Sequence, residues 1–146
     1  MSLAISNHAK VSNVSALMAI SLLSDHNRLG SLISASNAAL RIAANVIVDF
    51  LVSRDVQFHH PVAGVFVWAR LGGYDMESLD DEVEMSRAFS AAGVELVAGR
   101  SCRAPQPGWF RVTFALPQND LLLGLERISG VLDVLHDKIR SKRVRT

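Results

Sequence analysis

Residues 107–115 read PGWFRVTFA, and the placement of one arginine in this stretch decides how the chain is read. At period 2, Phe110, Val112 and Phe114 fall on one face of a strand, and Trp109, Arg111 and Thr113 fall on the other. One apolar face explains the first set. The second leaves a guanidinium beside a tryptophan, where a charge is costly unless something pairs with it. Arginine is suited to gripping a carboxylate through two parallel hydrogen bonds. Either an internal Asp or Glu meets Arg111, or a ligand does.

The surrounding chain bounds the possibilities. Its 146 residues, 49% of them hydrophobic, make one ordinary soluble domain with a real core. No apolar run is expected to reach transmembrane length, and MSLAISNHAK lacks the basic start and continuous apolar stretch of a secretory signal, so the expected location is the cytosol, without a membrane. A single cysteine, Cys102, excludes an internal disulfide framework and a cysteine-rich zinc site. The formal net charge of +1 names no partner. Only the tail KIRSKRVRT is strongly biased, with basic residues and no acid.

Two periodicities run outward from the strand. Val11 to Leu23 is apolar and spaced by serines, and Ser31 to Val52 repeats Ile33, Leu40, Ala44, Ile47 and Leu51 at helical intervals, with a break expected near Asn27 to Gly30. FHHPVAGVFVWARL, rich in Val and Phe and interrupted by Pro61, reads as a strand with an edge or bulge at its start. A further helix opens at Ser78 with Asp81 three residues on, carries Met85, Ala88, Phe89 and Ala92 on one face, and ends at Gly93. VELVAG and GWFRVTFA are two strands joined by RSCRAPQP. Asn119 then caps a last helix with a stripe at Leu121, Leu125, Ile128, Leu132, Leu135 and Ile139. From residue 57 the order is strand, helix, strand, strand, helix, which is an α/β layer with helices on a small sheet. Such layers host many functions.

The order of VSNVSALMAISLLSD, Asn37 with Leu40, AGVFVW, SC followed by PGWFRV, and FA resembles the C-terminal region of 1-aminocyclopropane-1-carboxylate synthases and of class I/II aminotransferases. The resemblance covers nearly the whole chain and implies the small domain of a fold type I, pyridoxal-phosphate-dependent enzyme that acts on an amino acid. It implies that residues 1–56 are a helical segment of the large domain and interdomain helix, and that residues 57–146 are the small α/β domain with its basic tail. It also implies that Arg111 binds the α-carboxylate of the substrate, while Trp109 packs beside it. A fork-shaped donor on a rigid strand would hold that carboxylate in a fixed orientation.

Family enzymes carry the cofactor on a lysine, supported by an Asp at the pyridine nitrogen and by phosphate-binding Ser and Arg side chains. Here the lysines are Lys10, Lys138 and Lys142, none in the SxxK-like context of the family. The expectation is a C-terminal portion of such an enzyme, an aminotransferase or a lyase, binding no cofactor and inactive alone. Its N-terminal helices would self-associate or meet a partner chain. The alternatives are a non-catalytic, partner-binding remnant of the fold and, less favoured because Phe110 and Phe114 read as buried, an α/β domain that binds nucleic acid through the basic tail and the sheet aromatics. His59 and His60 are adjacent, point to opposite faces of a strand and make a poor metal pair. Cys102 reads as an inert loop thiol. Asp80, Asp81, Glu82 and Glu84 read as an acidic helix start that favours the helix dipole.

Overall fold

The computed structural model describes residues 12–73, 76 and 78–143, with side chains as far as Leu135. The elements in chain order are α1 (Asn13–Ser24), α2 (His26–Ser53), β1 (Phe58–His59), β2 (Phe66–Ala69), α3 (Leu79–Ala91), β3 (Val97–Ala98), a 3-10 turn (Gly99–Cys102), β4 (Phe110–Thr113) and α4 (Gln118–Arg143). The chain divides into two compact units, Met1–Ala39 and Leu40–Thr146.

In the first unit Ser12 caps α1, its hydroxyl accepting the Ser15 N–H at 3.1 Å. The helix buries none of its residues, and Val14, Leu17, Met18 and Ile20 are exposed. The interruption between the first two helices falls at Asp25 and not at Asn27 to Gly30. Asp25 has the short carboxylate that an N-cap needs, and it accepts the Arg28 N–H at 3.0 Å. Gly30 is carried inside α2 with open space where its side chain would be.

The second unit is built on a four-stranded antiparallel sheet in the order β1-β2-β4-β3. The register sets Val67 opposite Val112 and Ala69 opposite Phe110, and all four are buried. This face forms the core together with Ile47 and Leu51 of α2, Met85 and Phe89 of α3, and Leu121, Leu125, Ile128 and Leu132 of α4. Phe89 meets Phe110 edge to face, with ring centres 5.4 Å apart. The helices therefore serve one face of the sheet, as the alternation around Arg111 requires. Leu121, Leu125, Ile128 and Leu132 of the expected α4 stripe are buried, and Leu135 packs at the edge. Ile139 lies outside the described side chains.

Three local expectations change. FHHPVAGVFVWARL is a hairpin and not a single strand: Phe58 pairs with Ala69 and His59 with Trp68. Pro61 cannot donate to a ladder, and Gly64 takes the left-handed φ of 90° within the reversal. The last helix opens without a side-chain cap from Asn119. Gln118 is already helical, and the carbonyl of Pro117 accepts the Leu121 N–H at 3.0 Å. Finally, α2 is long and apolar enough to cross a membrane by length and composition. Asn37, Arg41 and Asn45 interrupt every run in the sequence, but over a whole helix the apolar residues outweigh them. Within the second unit, the later turns of that helix bury Ile47 and Leu51 in a protein core.

The ends of α3 follow their residues closely. The Ser78 hydroxyl accepts the Asp81 N–H at 3.1 Å. At the other end Gly93 (φ 76°) donates to the Ser90 carbonyl and Val94 to that of Phe89, the paired closure that a left-handed residue permits.

Candidate functional site

Residues opposite one another in an antiparallel pair share a face, so the second face of the sheet can be read from its register. Trp68 and Val97 both stand opposite Arg111, His59 opposite Trp68, and Phe66 opposite Thr113. His59, Phe66 and Thr113 are exposed, while Trp68, Val97 and Arg111 are half-buried. One aromatic ring backs the cation here. The Arg111 guanidinium carbon lies 5.0 Å from the centre of the Phe66 ring, within the range of a cation–π contact. Trp109 is 8% exposed and stacks with Trp68, at 6.0 Å between ring centres, and with His59, at 5.1 Å. Trp109 thus packs.

Among the described residues no carboxylate pairs with Arg111, and its buried Nε has no hydrogen-bond partner. The ion pair that those residues do contain joins Arg54 to Asp133, through two hydrogen bonds. Of the two alternatives open for Arg111, an internal carboxylate is not met in the described chain. What remains is a fork of N–H donors stacked on a phenylalanine, on the sheet face opposite the core. Such a group is chemically fitted to a planar anion.

The approach to this strand is held by a residue that the sequence reading took only as part of an acidic helix start. Glu82 was grouped with an acidic helix start, but it is fully buried. Its Oε2 accepts the Gly108 N–H at 2.8 Å and its Oε1 accepts the Arg100 N–H at 3.1 Å. The signal was present in the spacing: Glu82, Met85 and Phe89 fall three and four residues apart and share the buried face of α3. A carboxylate on an apolar stripe needs donors, and two backbone amides of the β3–β4 loop supply them.

No hydrogen bond, ion pair or ring contact joins the remaining candidates to Arg111 among the described residues. His59 is committed to its stack on Trp109, and His60 lies 6.4 Å from Phe58 ring to ring. Cys102 is an exposed free thiol on the 3-10 turn. No cluster of three or more His, Cys, Asp or Glu suited to a metal occurs among the described residues. A cleft of about 390 Å³ opens between the segment Gly93–Leu96 and α4, lined by Leu116, Leu121 and Ile128 with Glu95 and Asp120. Arg111 does not line it.

Comparison with known proteins gives the family and the fold. The family described as aminotransferase class I and II matches residues 3–128. The chain belongs to that family. It is 43% identical over 138 residues to the probable aminotransferase gliI of Aspergillus fumigatus, covering 90% of this chain and 32% of that protein. It is 32% identical over 114 residues to the 1-aminocyclopropane-1-carboxylate synthase-like protein 1 of Mus musculus, covering 77% of this chain and 23% of that one. Among solved structures, a Thermus thermophilus aspartate aminotransferase mutant complexed with tryptophan aligns with a TM-score of 0.76 at 18% identity, over 89% of this chain and 32% of its own. At that identity the likeness shows the fold, which is that of the fold type I enzymes. The chain spans about a third or less of the length of the relatives it matches.

The family is pyridoxal-phosphate-dependent. None of the described side chains is a lysine: Lys10, Lys138 and Lys142 have side chains outside the described residues. What the described residues do offer is the guanidinium on β4.

Proposed function

We propose that this chain supplies the substrate-carboxylate-binding part of a pyridoxal-phosphate-dependent, aminotransferase-like enzyme acting on an amino acid, and that Arg111 grips the α-carboxylate. The observation that carries the reading is the Arg111 guanidinium itself, stacked on Phe66 on the sheet face opposite the core, with no carboxylate partner among the described residues. Family membership supports it. Two parallel N–H donors fix both oxygens of a carboxylate, so the α-carbon would be held in a defined orientation for chemistry supplied by the rest of the enzyme. Lacking a lysine in the family's context, the chain alone is inactive in this reading. A cytosolic location without a membrane fits the single, unpaired cysteine.

A second reading has one observation behind it. Helix α1 buries nothing and exposes Leu17, Met18, Ile20 and Leu23, as a surface for self-association or a partner chain would.

Trp68 and Trp109 are the only two tryptophans and lie on the Arg111 face, which makes fluorescence a direct probe. Titration with L-methionine should change the emission, titration with L-methionine amide should not, and Arg111→Ala should abolish the response. An equal response to acid and amide would contradict the assignment.

A further inference from the structure

The loop between β3 and β4 brings the chain to Arg111, and its ends are tied at four points. Gly99 N–H donates to the Trp109 carbonyl at 2.7 Å and Gly72 N–H to the Gly108 carbonyl at 3.0 Å. The other two ties are the amides of Arg100 and Gly108, which both end on the carboxylate of Glu82. One side chain from α3 therefore joins the beginning of the loop to its end. Gly108 is held on both sides, its N–H by Glu82 and its carbonyl by Gly72.

We propose that Glu82 is a positioning residue for Arg111, acting through Gly108 and the first residues of β4. This rests on the reading of Arg111 as the carboxylate anchor. Arg111 stands three residues beyond Gly108, roughly 10 Å along the chain at strand rise. Residue 110 enters the register with β2 at Ala69, and Arg111 follows opposite Trp68. A fork that must meet two oxygens tolerates little displacement, since productive geometries are held to about 0.5 Å. The choice of a carboxylate has a reason of valence: its two oxygens each accept one of two N–H groups that converge from opposite ends of one loop. Glutamine has nearly the same shape, but its amide nitrogen turns a donor toward one of those N–H groups. Burial makes the defect costly, because water does not reach Glu82 to bridge the gap.

Glu82→Gln tests the proposal on the full chain by NMR, observing the Arg111 Nε–H, whose shift is set by the neighbouring Phe66 ring. The expected result is a displaced Arg111 signal, unchanged methyl signals from Ile47 and Leu132 at a distance, and a fall of about fivefold or more in the acetate affinity read from the same signal. An unmoved Arg111 signal in a folded Glu82→Gln chain overturns the proposal. The carboxylate reading fails separately, if acetate leaves Arg111 unmoved in the unaltered chain; displacement in the variant still decides the role of Glu82. Should the variant not fold, amide exchange in the unaltered chain is decisive. The Arg100 and Gly108 amides are expected to exchange at the slow rate of the β4 amides, and exchange of Gly108 as an open loop overturns the proposal.

Discussion

Gly72 and Gly108 run backbone against backbone. The Gly72 N–H donates to the Gly108 carbonyl at 3.0 Å, and a Cβ built on Gly72 would stand 2.7 Å from the Gly108 Cα. No side chain fits between them. Gly108 is also left-handed, with φ 86°, a conformation that costs other residues about 1–2 kcal/mol.

Gly72→Ala and Gly108→Ala should therefore each lower stability, by about 2 kcal/mol or more once displaced backbone is added to strain. Urea denaturation measures this. A loss below about 0.5 kcal/mol for both, the range of ordinary surface changes, would show that the approach is looser than the distances indicate.

The end of α2 gives the opposite sign. Val56 N–H donates to the Leu51 carbonyl and Asp55 N–H to that of Val52, a helix closure in which Asp55 takes the left-handed φ of 51°. Glycine adopts that conformation without strain. Asp55→Gly is expected to raise the unfolding free energy by about 0.5–1 kcal/mol, and a destabilised variant in thermal melts would refute this account of the turn.

The sequence carried the sheet face and the helix ends because each depends on residues close in the chain. Alternation at Phe110, Arg111 and Val112 put the guanidinium on the face away from the core, and Ser78 and Gly93 marked the limits of α3. The hairpin at residues 58–69 was not legible in the same way, because β1 has two residues and its pairing with β2 depends on the fold. The role of Glu82 was not legible for a related reason, although its place in the acidic first turn of α3 was. Its spacing with Met85 and Phe89 set it on the buried face of α3, but its partners are two amides that lie 18 and 26 residues further on, and no local rule reports those. That Arg111 meets no described carboxylate also became visible only with the chain folded.

Helix α1 offers a test of the association reading. With Leu17, Met18 and Ile20 exposed and nothing buried, light scattering should show concentration-dependent self-association, reduced by Leu17→Asp with Ile20→Asp. A monodisperse monomer at high concentration would exclude it.

The cofactor offers another. After mixing with pyridoxal phosphate and desalting, the chain should retain no stoichiometric chromophore. Capture of that aldehyde needs an amine held in a desolvated or cationic setting beside an anchored phosphate, and Lys10, Lys138 and Lys142 lack the family's lysine context. A retained chromophore removed by changing one lysine would contradict this.

The most direct measurement is a crystal structure of the chain with bound L-methionine. The expected result is a carboxylate lying across the Arg111 fork, each oxygen about 2.8 Å from a guanidinium nitrogen, with the guanidinium still stacked on Phe66. Arg111 paired instead to an Asp or Glu of its own chain, with the amino acid absent or bound elsewhere, would contradict the assignment of Arg111 as the carboxylate anchor.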